Sequence, residues 1–304
     1  MPICITCSTP VRNLYTVYSK ADDRTLGKGV RLTQCPNCKR FADKYVEHDF
    51  VVLFIDLVLI KPQVYRHLLF NRLGRSDDKF DPSILRLGTL LILFDVYITW
   101  ARIEKTHALN GGTSVGSRLS EMPILTQYLF FLTMNVLATV AQHGIIRVLT
   151  RLLLARPMTQ EETGNGNKSP HATPENGSRQ PLIPAGRASP SAISTALFVS
   201  SCTKLFPILL VIWPTEAKEA DSFGFAFHAT NYVGWAVLLN NVEALLILLN
   251  CGYVIATTLA VSGVLARWAV EGWILGLVGL GTDTGPVGDL WAAIAFSRAL
   301  FKGR

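Results

Sequence analysis

Charge is scarce in this chain. Asp, Glu, Lys and Arg make up 17 % of its 304 residues, against about a quarter in a soluble domain, so an ordinary water-facing protein of this size is excluded. Cysteine is scarce outside one short region: of six in all, four lie between Cys4 and Cys38, while Cys202 and Cys251 stand alone in apolar stretches. That distribution excludes a secreted disulfide framework. Residues 1 to 9 lack the basic start and apolar run of a signal peptide. The first cysteines are therefore expected to face reducing cytosol, where thiolates bind metal in preference to pairing. No P-loop, GxGxxG turn or Ser/His/Asp set stands in a plausible context, and His48, His67, His143 and His228 are scattered without ligand spacing. Catalytic machinery of the common kinds is not visible.

What the chain has instead is apolar residues, 49 % of the total, gathered in blocks. In FVVLFIDLVLI, Phe50 to Ile60, ten of eleven residues are apolar; as a helix this is only about 16 Å long, roughly half a bilayer core. Pro62 ends it, and QVYRHLLFNRL follows with Val64, Tyr65, Leu68 and Leu69 on one face. Residues 50 to 73 thus read as an apolar and amphipathic segment that packs on the head before it or lies in the membrane interface. A first transmembrane pair follows in residues 84–156, with crossings expected at 84–103 and 123–143 and a basic extension bearing Arg147, Arg151 and Arg156. Residues 157–190 turn rich in Pro, Gly, Ser, Thr and Asn without an aromatic, the composition of a disordered linker. A second transmembrane region is expected in 191–304, with crossings at 194–213 and 244–266. Two shorter apolar pieces within 268–297, split by GTDTGP, are either a re-entrant hairpin or one broken span.

Net charge is +7, and its placement decides what it means. The head and the linker are rich in Lys and Arg, loop 104–122 is balanced, and loop 214–230 is net acidic. By the positive-inside rule this puts head and linker in the cytosol. Topology explains the charge without nucleic acid. Two glycosylation acceptor patterns, at Asn167 and Asn176, fall on the cytosolic side in this arrangement and are expected to stay unused. Asp95 and Lys204, lying inside expected crossings, are costly there and count as site candidates.

Cys4-x2-Cys7 and Cys35-x2-Cys38 have the pairwise spacing of a Cys4 zinc site, each pair a knuckle that aims two thiolates at one point. Strands at residues 14–18 and 30–33, joined by a loop over 20–29, would bring the knuckles together; residues 1–49 then form a Cys4 zinc ribbon. A thioredoxin-type redox pair needs one CxxC opening a helix in a βαβ unit, a context absent here. Four thiolates leave no position for water, so the zinc is expected to be structural. The fold expected is a mostly α-helical membrane protein, with a small N-terminal β-rich zinc-ribbon head followed by about four transmembrane helices. Asp56 interrupts the apolar run; it is either functional or an edge residue facing the basic segment from Lys61 to Arg66.

The phrases CITC, VRNLYTVYS and CPNCKRFADKYVEHDFVVLFIDLVLIKPQVYRHLLFN resemble the homology domain of the Arv family, closely over residues 1 to 73. The resemblance implies a multi-pass endoplasmic reticulum membrane protein with a cytosolic head. It implies action in sterol and sphingolipid homeostasis and in the supply or use of glycosylphosphatidylinositol (GPI) precursors. Cys4, Cys7, Cys35 and Cys38 match the metal ligands, and Asp56, Tyr65, Arg66 and His67 fall in the matching motif as candidates for docking to membrane or partner. The function expected is a non-catalytic mediator of intracellular lipid distribution whose partners are the bilayer, sterol or sphingolipid, and no nucleic acid. The alternative is an accessory subunit or lipid-intermediate supplier for GPI-assembly enzymes.

Overall fold

Two antiparallel strands, β1 (Tyr15–Ser19) and β2 (Lys28–Leu32), pair from Tyr15 opposite Leu32 to Ser19 opposite Lys28, where the hairpin was expected. The computed structural model describes residues 1–19, 28–74, 80–109, 122–154, 188–206 and 219–278. Most of the hairpin loop, nearly all of the expected linker 157–190 and the end of the chain therefore lie outside the described residues.

From Phe50 onward the elements among the described residues are all helical. α1 (Phe50–Val58) is followed by a sharp turn with Ile60 at φ 55°, and α2 (Pro62–Arg66) runs on into a π-helical turn, His67–Arg72. Pro62 fits its place because the first helical position needs no backbone donor. α3 (Pro82–Leu109) starts on Asp81, whose carboxylate accepts from the Ser83 amide at 2.9 Å. α4 is Ile124–Leu154. α5 (Pro190–Ser200) begins on a Ser189 cap, so the last residues assigned to the linker are already the start of a helix. It then tightens into a 3-10 turn, Ser201–Leu205. The crossing expected at 194–213 is thus irregular from Ser201, and its part beyond residue 206 lies outside the described residues.

The largest departures come next. α6 spans Glu219–Leu249 and α7 spans Tyr253–Val278. The break between them falls within 244–266, the stretch expected to cross as one helix. Its cause is local: Asn250 takes the left-handed conformation, φ 47°, just past the last helical turn, and Gly252 follows, a helix-stop pattern that apolarity alone hides. Conversely, Arg267, expected to end a crossing, lies mid-helix in α7, and residues 268–278 are the second half of that helix and not a re-entrant piece. α6 begins at Glu219, inside the stretch 214–230 expected as a loop.

Among the described residues three helices are long and apolar enough to cross a membrane, through Pro82–Trp100, Ile124–Leu154 and Tyr253–Val278, with a shorter apolar run at Val233–Leu249. About four were expected. α4 shows why they suit lipid. It buries Gln127, Asn135, Gln142 and Thr150 and exposes Ile124, Leu125, Leu129, Val140, Val148 and Leu152. Polar groups turned inward and apolar groups outward is the arrangement required where the surrounding solvent is hydrocarbon. α4 lies along α7, and a Cβ on Gly263 would come within 2.5 Å of Ile146, so this glycine permits a close helix crossing. The main apolar core is continuous from the head into the bundle, running from Ile5 and Tyr45 through Leu57 and Tyr65 to Leu197, Leu245 and Leu259.

Candidate metal centre

The two CxxC turns are built alike. The Cys4 amide donates to the Thr9 carbonyl at 2.8 Å and the Ser8 amide to the Cys4 carbonyl at 2.9 Å; the Cys35 amide donates to Arg40 at 2.8 Å and the Lys39 amide to Cys35 at 3.0 Å. Ser8 and Lys39, at matching places, both take the left-handed conformation, φ 61° and 60°. The turns are anchored by isolated bridges, Ile3 with Pro10 and Gln34 with Phe41.

Facing each other, they bring four Sγ atoms within 4.8 Å of one another, with Cys4 to Cys38 at 3.7 Å and Cys7 to Cys35 at 3.5 Å. A tetrahedral ion with thiolate bonds of about 2.3 Å needs sulfurs about 3.8 Å apart. The residues present therefore fit a metal ion with no disulfide among them; all six cysteines are free. The two thiols of the first knuckle are pushed in opposite directions. Burial pushes the Cys4 thiol up to about 12. Burial also acts on Cys7, but hydrogen bonds with Thr9 and Cys35 outweigh it and bring that thiol down to about 6.

The motif after the second knuckle holds the first. Asn71 pairs with Ile3 as a strand would, its Oδ1 accepting from the Ile3 amide at 2.8 Å and its Nδ2 donating to the Ile3 carbonyl at 3.0 Å. Arg66 Nη1 donates to the carbonyls of Ile5 and Thr6 at 2.9 and 3.1 Å. Asp43, fully buried, gathers the remainder: it accepts from the Tyr45 amide at 3.0 Å and from Asn71 at 2.7 Å, and meets His67 Nδ1 at 2.7 Å. A second acid, Asp56, accepts from the Tyr45 hydroxyl at 2.7 Å and pairs with Lys61 at 2.5 Å. Burial raises the Asp56 carboxyl, yet the Lys61 and Tyr45 hydrogen bonds outweigh it and hold the group below its ordinary value. Tyr65, with no exposed surface, donates its hydroxyl to Asn240 in α6, and Asn240 donates to Thr203 at 2.9 Å.

Of the four candidates for docking to membrane or partner, Asp56, Tyr65 and His67 are thus buried, and Arg66 is occupied with backbone of the first knuckle. They fasten the head to itself and to the helices. Asp43 and Asn71 carry no signal in the sequence, because a lone acid and a lone amide have no diagnostic spacing; only the tertiary fold brings Asp43 to His67 and Asn71 to Ile3 and Asp43.

A separate cluster joins the crossings. Asp95 Oδ2 meets Lys204 at 2.7 Å and Arg267 at 3.2 Å, and Arg267 also pairs with Glu271 at 2.8 Å and donates to Asn135 at 3.0 Å. Two cations and two anions neutralise one another, so the two suspected intramembrane charges, Asp95 and Lys204, are partners.

A model of the Arv1-like family matches residues 3–245, well past the segment that carries the motifs. The chain is 33 % identical over 245 residues to Protein arv1 of Schizosaccharomyces pombe, covering 81 % of this chain and 74 % of that protein. It is 30 % identical over 308 residues to Protein ARV1 of Eremothecium gossypii, covering 90 % and 91 %. Against Protein ARV1 of Homo sapiens the identity is 24 % over 263 residues, covering 86 % and 78 %. No solved structure matches it.

Proposed function

This chain belongs to the Arv1-like family, and from that premise we propose that it is a non-catalytic mediator of sterol and sphingolipid homeostasis and of lipid distribution in the endoplasmic reticulum membrane. The observation that supports this reading most is the union of a closed four-thiolate site with a membrane bundle through adjacent residues: Arg66 holds the first knuckle and Tyr65 enters the helices. Such a head is a rigid platform carried at the membrane surface.

The metal in this reading is zinc, which suits four thiolates at these distances and supplies only cross-linking when bound. Cys4, Cys7, Cys35 and Cys38 would hold it, and four protein ligands would leave no place for a reacting water. The chain's own residues do the rest: Asn71 and Arg66 fix the first knuckle against the π-helical turn, and Asp43 ties that turn to the second knuckle. The head thereby gains from the metal and the helices a stability that fewer than 50 residues with a small core do not supply alone.

Lipid profiling of cells lacking the protein, rescued by wild type or by Cys35→Ser, tests the reading. Altered sterol and sphingolipid distribution that wild type restores and the variant does not is the expected result; full rescue by the variant makes the head dispensable. Purified protein in liposomes should bind or move sterol. Failure to do so, together with copurification of a GPI-assembling enzyme, would favour the accessory-subunit reading.

A further inference from the structure

α1 has two faces of opposite fate. Leu53, Asp56 and Leu57 are buried, and the helix rests on the 3-10 turn Ser201–Leu205 of the bundle. On the other side Phe50, Val51, Ile55 and Leu59 stand 73, 65, 49 and 61 % exposed. Val51, Ile55 and Leu59 recur every fourth residue and so form one stripe. The helix's one charged side chain, Asp56, is turned away from that stripe and held by Tyr45 and Lys61. The stripe therefore carries no charge and no unmet hydrogen-bonding group.

We propose that this stripe is an insertion face that sits among the acyl chains of one bilayer leaflet, so that α1 touches the membrane as a half-buried helix beside the crossings. Three observations select lipid as the occupant. The nine residues of α1 make a helix of about 14 Å, too short to cross a core of about 30 Å. The helix is fastened to the spanning bundle, directly at Ser201–Leu205 and through the Tyr65 hydroxyl on Asn240, so its free face is held where the bundle meets its surroundings. That bundle already presents uncharged Ile, Leu and Val outward on α4, and the stripe continues a surface of the same chemistry. An amphipathic helix with these properties settles at the boundary of headgroups and acyl chains.

The full chain reconstituted in phosphatidylcholine vesicles, with an environment-sensitive fluorescent amino acid at position 51, tests it. Emission is expected to be blue-shifted, to be lost when the acyl chains are brominated, and to withstand iodide on both sides of the membrane. The same probe at Tyr15, on the exposed part of the head, is expected to respond to iodide and not to brominated chains. Quenching of position 51 by iodide would place the stripe in water; resistance to both quenchers would place it against a second copy of the chain. Either overturns the proposal. In a chain that also carries Ile55→Asp and Leu59→Asp, with its metal content unchanged as evidence of a folded head, the probe is expected to shift red and lose its response to brominated chains. Emission that stays blue in that chain also overturns it.

Discussion

Asp43 is the residue on which the head depends most after the cysteines. It is a fully buried carboxylate serving a backbone amide, an imidazole and a side-chain amide. Removing one member of such a set strands the others without water. Asp43→Ala is expected to cost about 1 to 3 kcal/mol, seen as a lower thermal midpoint of the purified chain together with loss of bound metal. Asp56 makes a prediction in pH. Its folded pKa lies below the ordinary 3.8, so its contribution is fully present above the unfolded value and fades as pH falls through the folded one. The tie between Tyr45 and α1 should hold at neutral pH and loosen below about pH 4. Hydrogen exchange along residues 44–58 would follow it, and Asp56→Asn should abolish that acid dependence. A pH dependence surviving in the variant would assign it to another group. Ser8 and Lys39 occupy left-handed positions that cost a side-chain-bearing residue about 1 kcal/mol. No glycine marks either place, so composition gave no hint of two equivalent knuckle turns.

Between elements, the decisive contacts are those that charge and size force. α5 has eleven residues before its 3-10 turn and carries Lys204 toward the other crossings; an unpaired ammonium there is costly. Asp95→Ala should therefore destabilise the bundle by about 3 kcal/mol, whereas the double change Asp95→Ala with Lys204→Met should recover part of the loss. Thermal unfolding in detergent measures the cycle, and additive losses would show that the pair is not coupled. At the crossing of α4 with α7, Gly263→Ala would set a Cβ 2.5 and 2.8 Å from Ile146 Cδ1 and Cγ1 and 3.3 Å from Gln142 Cγ, so both side chains must shift. Gly263→Leu would instead drive the helices apart, and the same melting assay should rank the two in that order.

Over the whole molecule, head and helices share one core, and Tyr65 with Arg66 is where they are stitched. Tyr65→Phe keeps the ring and removes the hydroxyl that Asn240 accepts. The variant should retain its metal yet exchange amide hydrogens faster around Thr203 and across residues 1–49, because the head would be loosened from the bundle with its knuckles intact. Unchanged exchange would show that apolar packing alone joins them. A boundary at residue 49, natural from the change in composition, is not one the core respects: Ile5 and Tyr45 belong to the same cluster as Leu57 and Val64. The side chains of the head are too few to make a core without the helices that follow.

Residue order alone determined the parts whose physics is local. Paired cysteines at a spacing of three state where thiolates will converge; alternating Tyr and Val state a strand; long uncharged runs state helices that suit a bilayer; and the motif phrases pointed to the family that residues 3–245 match. Those signals need only a few consecutive residues to be physically meaningful. The tertiary structure decided what depends on distant residues meeting. It turned Asp56, Tyr65 and His67 inward, paired Asp95 with Lys204 across 109 positions of sequence, and left Arg267 within α7 beside Asp95. A buried charge or hydroxyl is stable only beside its partner, and in a linear chain nothing marks which partner that will be.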